Sequence, residues 1–69
     1  MHWASLERFE RDARSADEVT LRTMHAWAAE RESDADRPGM GRNPKARRHF
    51  RLMRQAAEEE LDRRGLLWS

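Results

Sequence analysis

The chain has 69 residues, no cysteine and a nearly balanced charge of 14 Lys or Arg against 13 Asp or Glu. A chain of this length holds one domain and buries only about 60% of the surface that it exposes when unfolded. Ten of its apolar residues are Ala, so sixteen large apolar side chains remain for a core. Because disulfides and thiolate zinc ligands are excluded, we expect helix packing, completed by association with a second chain, to supply the stability.

Composition also decides the fold class. There is no Ile and no Tyr, and Ala, Glu, Arg and Leu recur with three- and four-residue apolar spacing, which helices need and strands do not. We therefore predict an all-α protein with one domain over residues 1–69. It is either a small three-helix bundle or a helical hairpin preceded by a short N-terminal helix. No apolar run could cross a membrane or act as a secretory signal, which predicts a cytoplasmic protein.

The first two helices are predicted over residues 2–14 and 16–32. Trp3, Leu6, Phe9 and Ala13 share one face of the first helix. A capping box from Ser15 to Glu18 should start the second helix. That helix has two apolar sides, which predicts a central position in contact with both neighbours, and His25 is expected on its polar side. The members of the two sides are Val19, Thr23, Ala26 and Trp27, and Leu21, Met24 and Ala28.

A loop over residues 33–43 precedes the third helix, predicted over residues 44–64. Asn43-Pro44 supplies a capping residue followed by Pro at the first helical position, and Gly65 supplies the left-handed residue that ends the helix. We expect Phe50 to be the buried centre of the apolar face, and His49 to be a half-buried packing residue.

Residues 37–54 carry seven cations and no acid. On the third helix they form a basic stripe, defined as Arg47, Arg48, Arg51 and Arg54, which we predict to face solvent. Bases in the first turns of a helix oppose its macrodipole, so a ligand could have selected them. A Gly-rich loop feeding a helix N-terminus is also a natural anion site. The candidate residues for nucleic acid or another anion are Arg42, Lys45, Arg47, Arg48, Arg51 and Arg54. A solvated face, or one paired with an acidic partner chain, is the favoured explanation of the stripe over a nucleic-acid surface.

Catalytic and metal sites are not predicted. The three His have no partner of ligand type at helical spacing, and no Ser has a His and an acid in a recognisable arrangement. Three short helices do not easily enclose a substrate. We therefore expect no metal, no cofactor, no small-molecule substrate and no enzyme activity.

Three Trp in 69 residues is a high density, and two of them lie near the chain ends. One interpretation places Trp3 and Trp68 as caps of a small core. The other makes them an exposed aromatic surface, since Trp is favoured at the centres of protein interfaces. On the second interpretation the partner-binding residues are Trp3, Leu66, Leu67 and Trp68.

Two functions of different classes remain at this stage. The favoured one is a non-enzymatic helical protein-binding or oligomerisation module that occupies a surface of a second copy or of a larger protein, and its composition suits a phage or plasmid accessory gene. The alternative is a small regulator that binds DNA or RNA through the basic loop and the first half of the third helix. The ten residues 33–42, which precede the capping residue Asn43, are too long a connection for a helix-turn-helix motif.

Overall fold

A computed structural model describes residues 3–37 and 43–68. These residues form three α-helices and no β-strand: α1 (Leu6–Ser15), α2 (Glu18–Ala35) and α3 (Pro44–Arg63). The prediction of an all-α helical bundle is confirmed. The second helix ends at Ala35, three residues later than predicted, so residues 33–35 of the predicted loop are helical. The middle of that loop, residues 38–42, lies outside the described residues. The backbone N–H of Asn43 donates a hydrogen bond of 3.2 Å to the carbonyl of Ala35, which brings the two ends of that segment together.

The start of α1 lies later in the chain than predicted. The hydroxyl of Ser5 accepts a hydrogen bond of 3.2 Å from the backbone N–H of Arg8, which makes Ser5 the capping residue. Trp3 therefore precedes the helix and folds back onto the core, with its ring 5.3 Å from that of Phe9. Phe9 and Ala13 are the buried residues of the helix itself.

The predicted capping box at the start of α2 is wrong. Ser15 is the last residue of α1, and its hydroxyl donates to the carbonyl of Asp12. Asp17 caps α2 instead, accepting 2.7 Å from the backbone N–H of Thr20. That hydrogen bond lowers the pKa of Asp17. A carboxylate is the better cap here because its charge also complements the positive end of the helix dipole.

Only one of the two predicted apolar sides of α2 lies in the core. Leu21, Met24 and Ala28 are buried, whereas Val19, Thr23 and Ala26 are exposed and Trp27 is half-buried. The central helix is α3, which packs against both α1 and α2, so the predicted central position of α2 is wrong. The longest helix is the one that spans both neighbours.

The predicted ends of α3 are confirmed. Asn43 accepts 3.1 Å from the backbone N–H of Ala46, and Pro44 follows at the first helical position. Gly65 has a φ of 74°, and the N–H of Leu66 donates 2.9 Å to the carbonyl of Leu61. This is the Schellman arrangement, which satisfies carbonyls at the helix end and turns the chain back on the bundle.

The core is one cluster of buried apolar side chains contributed by all three helices and by Trp3. Met53, not Phe50, is at the centre of the α3 face, because Met53 is fully buried whereas Phe50 is half-buried and packs against the edge of the cluster. His49 is half-buried beside it, as predicted, with ring centroids 5.3 Å apart. The buried members are Trp3, Phe9, Ala13, Leu21, Met24, Ala28, Met53, Ala57 and Leu61.

Candidate interaction surfaces

The basic stripe does not form a continuous solvent-facing surface. Three of its four arginines pair with carboxylates of the bundle, and their partners on α2 come from a helix face that the sequence pattern did not single out. Arg47 lies 3.3 Å from Asp36, and Arg51 lies 3.3 Å from Glu32. Arg54 bonds Glu32 at 2.5 Å and Glu58 at 2.9 Å. Only Arg48 keeps the predicted exposure without a partner among the described residues.

Arg54 is the centre of an interhelical network that we define as His25, Glu32, Arg51, Arg54 and Glu58. Its side chain is 27% exposed, and those of its two carboxylate partners are less exposed still. The hydrogen bond from Arg54 lowers the pKa of Glu32, and the same contact raises that of Arg54. The planar guanidinium presents several N–H donors, so one arginine can bond both carboxylates.

His25 joins the same network, so the polar side of α2 on which it was predicted meets the charged groups of α3 at this point. Its Nε2 lies 3.0 Å from Oε2 of Glu58, and its side chain is mostly buried. Glu58 is itself buried. The network therefore joins α2 to α3 through polar groups that are all paired, and no buried side-chain N or O atom of the described residues lacks a partner.

A second polar cluster fastens α1 to the end of α3. Arg64 donates 3.1 Å to the carbonyls of Ala13 and Arg14, which are otherwise left without partners at the end of α1. Glu60 orients this guanidinium at 2.7 Å and also pairs with Arg63. The hydrogen bond from Arg63, and to a smaller extent that from Arg64, lowers the pKa of Glu60. The pairing of Arg63 with Glu60 leaves Glu59 exposed, with no partner among the described residues.

Two cations of the predicted anion site remain exposed, Lys45 and Arg48. They lie one turn apart near the beginning of α3, on the side away from α2. Arg42, the first member of the predicted set, lies outside the described residues. The Gly-x-Gly turn that should feed the helix N-terminus, residues 39–41, also lies outside them.

Trp3 is a core residue and does not belong to an exposed partner surface. It is 7% exposed, and its Nε1 donates 2.8 Å to Asp12 of α1. Its ring centroid is 5.1 Å from that of Trp27, which in turn packs edge-on against Phe50 at 5.7 Å. Burial of the indole with its N–H satisfied explains this placement, and it corresponds to the core-cap interpretation.

The C-terminal tail, residues 66–68, is the part of the predicted partner surface that stays exposed. Leu66 packs against the core, whereas Leu67 is 78% and Trp68 48% exposed. Two hydrogen bonds hold the tail: Arg22 of α2 donates 2.6 Å to the carbonyl of Leu67, and Nε1 of Trp68 donates 2.8 Å to Asp62. Sequence reasoning missed Arg22 and Asp62 because their partners are fixed only by the turn at Gly65.

The residues that the structure describes contain neither a candidate metal site nor a helix that could span a membrane. Within residues 3–37 and 43–68, no group of three or more His, Asp or Glu could hold a metal ion. No described helix is long and apolar enough to cross a membrane. An open cleft of about 320 Å³ lies between α1 and α3, and charged side chains provide most of its lining, including Glu10, Arg14 and Glu59.

Comparison with known proteins found no matching family model, no matching curated protein and no matching solved structure.

Proposed function

We propose that this chain is a non-enzymatic protein-binding module that anchors its C-terminal tail in an apolar cleft of a larger protein. The observation that carries this proposal is the contrast within the tail: its backbone and the Trp68 indole N–H are hydrogen-bonded to the bundle, while the apolar parts of Leu67 and Trp68 face outward. A tail that merely completed the core would bury these side chains, as Leu66 does.

A fixed apolar tail favours binding for an entropic reason. Ordering a side chain on association costs about 0.5 to 1.5 kcal/mol, and contacts made before binding remove part of that cost. Trp and its apolar neighbours act as anchors when a partner pocket encloses them. A second exposed apolar side chain, Val19 at 76% exposure, lies one turn before Arg22 on α2.

The alternative of a nucleic-acid-binding regulator has less support. Three of the predicted contact residues, Arg47, Arg51 and Arg54, already have carboxylate partners at 3.3 Å or less. A phosphate would have to compete with those carboxylates, and the acids on α2 would repel a polyanion from the same face. Only Lys45 and Arg48 of the described candidates are free.

Site-specific photo-crosslinking tests the proposal in cells that express the chain. A photoreactive residue in place of Leu67 should cross-link one defined protein, and the same residue in place of Glu7, exposed on α1, should not. The captured protein is then purified and titrated with the wild-type chain. We expect Trp68→Ala and Leu67→Ser each to raise the dissociation constant at least tenfold, as loss of an anchor residue does.

The matched control is Arg48→Ala, an exposed change elsewhere on the bundle that should leave this affinity unchanged. The proposal is overturned if Trp68→Ala binds as tightly as the wild type. It is also overturned if the chain binds mixed DNA or RNA saturably below about 1 μM at low salt and loses that binding in a Lys45→Glu, Arg48→Glu double variant.

A further inference from the structure

The outer face of α3 repeats with coiled-coil spacing on the side opposite the core. Its exposed residues recur at alternating intervals of three and four, and at 100° per residue they span an arc of about 100°. The core residues Met53, Ala57 and Leu61 lie on the other side of the helix. The outer face consists of Lys45, Arg48, Leu52, Gln55, Glu59 and Asp62, all of them exposed.

The charges on this face are ordered along the helix. Two cations lie at its beginning, an apolar and an amide side chain in the middle, and two acids at its end. Lys45, Arg48 and Glu59 have no hydrogen bond or ion pair within the described part of the chain. Asp62 contacts only the indole of Trp68 through Oδ1, so its other carboxylate oxygen remains available. The inner arginines of α3 are neutralised within the bundle, but these outer charges are not.

The order is self-complementary about the midpoint between residues 53 and 54. We propose that a second copy of this chain packs against the outer face in the antiparallel direction, with a two-fold axis through that midpoint. Lys45 then lies opposite Asp62 of the second copy and Arg48 opposite Glu59. Leu52 packs against Gln55 of the second copy. Every residue of the face meets a residue of opposite charge or a neutral one, as a two-fold symmetric interface requires.

The helix dipole supports the antiparallel direction. Cations at the beginning of a helix and acids at its end oppose its own macrodipole. In an antiparallel pair, the cations of one α3 lie beside the negative end of the other helix, and the acids lie beside its positive end. An arrangement that is unfavourable in one helix becomes favourable between two.

The composition of the outer face also determines how strong the dimer is and how it responds to salt. Leu52, at 40% exposure, is its one large apolar side chain, so apolar burial supplies little affinity and the ion pairs chiefly set orientation and register. We therefore expect a reversible dimer that weakens as salt screens the pairs. This dimer goes beyond the proposed function and uses different residues from Leu67 and Trp68.

Charge reversal with mixing tests both partner and direction. Sedimentation equilibrium from about 10 μM to 1 mM should show a monomer–dimer equilibrium for the wild type, weaker at high salt. Arg48→Glu and Glu59→Arg should each weaken self-association at least tenfold, because each places like charges opposite one another. An equimolar mixture of the two variants should dimerise, since one chain then carries acids at both positions and the other carries cations. The double variant should dimerise by itself.

A cysteine pair measures the register independently, because the chain has no cysteine of its own. Chains with Leu52→Cys and chains with Gln55→Cys should oxidise to a mixed disulfide in preference to either homodisulfide. Val19→Cys, exposed on α2, is the control that should not cross-link. Circular dichroism on every variant establishes that the helices are retained.

Two results overturn the proposal. One is a wild-type chain that stays monomeric up to about 1 mM at low salt, or associates equally well after either reversal. The other is a homodisulfide of the Leu52→Cys chain that forms in preference to the mixed disulfide, which is the outcome of a parallel dimer. Neither result bears on the tail, because Leu67 and Trp68 are unchanged in these variants.

Discussion

Arginines have opposite environments on the two flanks of α3. On the flank that meets α2, Arg51 and Arg54 are bound by Glu32, and Arg54 also by Glu58. On the outer face, Arg48 is exposed with no partner among the described residues. A run of cations along a helix is therefore not one surface, because a helix distributes consecutive residues around its axis and a neighbouring helix neutralises only the flank that it touches.

The largest effect that distinguishes the two sides of α3 should come from adjacent residues. Met53 is fully buried and Leu52 is exposed. We expect Met53→Ala to lower the free energy of unfolding by about 2 to 5 kcal/mol, and Leu52→Ala to change it by about 0.5 kcal/mol or less. Urea unfolding followed by Trp fluorescence at low protein concentration measures both. Equal losses at the two positions would mean that the helix is rotated about its axis.

Phe50→Ala sharpens the same comparison at the edge of the core. Phe50 is only half-buried, so we expect Phe50→Ala to lower the free energy of unfolding less than Met53→Ala does, by about 1 to 3 kcal/mol. The variant should also lose the edge-on packing against Trp27. A change in the near-ultraviolet dichroism of the Trp residues should accompany it. A loss larger than that of Met53→Ala would restore Phe50 as the centre of the core.

The arginines of the two flanks provide the next test. Arg54→Met keeps the apolar stem but leaves the carboxylates of Glu32 and Glu58 without their shared guanidinium. We expect the free energy of unfolding to fall by about 1 to 2 kcal/mol. The effect is smaller than for a fully buried pair because both carboxylates retain some solvent access. Arg48→Met should lie within about 0.5 kcal/mol of the wild type. The contrast between the two flanks fails if the two variants unfold at the same denaturant concentration.

Acid should lower the stability of the bundle at two of its interhelical ion-pair clusters. The pKa of Glu32 and that of Glu60 are lowered by their arginines, so in the folded state these carboxylates stay ionised at a pH where the unfolded chain binds protons. The resulting stability is present above about pH 4.3, the ordinary pKa of Glu, and is lost as the pH falls below it. The loss is about 1 kcal/mol or less for each group. Glu32→Gln should flatten this part of the pH profile, and an unchanged slope would contradict the assignment.

The smallest expected effect is an increase in stability. Lys45→Glu removes a cation from the first turn of α3 and puts an acid near the positive end of its dipole, which should stabilise the monomer by about 0.3 to 1 kcal/mol. The same variant should dimerise less, because it loses its proposed pairing with Asp62 of a second copy. Thermal unfolding at low concentration and sedimentation at high concentration measure the two effects separately. A rise in both stability and self-association would contradict the proposed interface.

Local signals in the sequence were sufficient for the ends of α3 and for the class of fold. Asn43-Pro44 and Gly65 act through the backbone of their own neighbours, so no distant residue needs to be known. The start of α2 was predicted incorrectly because Ser15 and Asp17, two residues apart, are both of types that cap helices, and the capping-box pattern selected Ser15.

The sequence by itself determined three helices and the uneven distribution of charge, but it left both a core position and an exposed position open for Trp68. Only the tertiary structure decided which charges are free. Glu32 and Arg54 are 22 residues apart, and their pairing depends on the rotation of α2 about its axis, which in turn depends on which of its two apolar sides enters the core. The side that enters the core is the one formed by Leu21, Met24 and Ala28. This rotation placed Glu32 beside the arginines of α3, and the outer face of α3 was left with the unpaired charges of Lys45, Arg48 and Glu59.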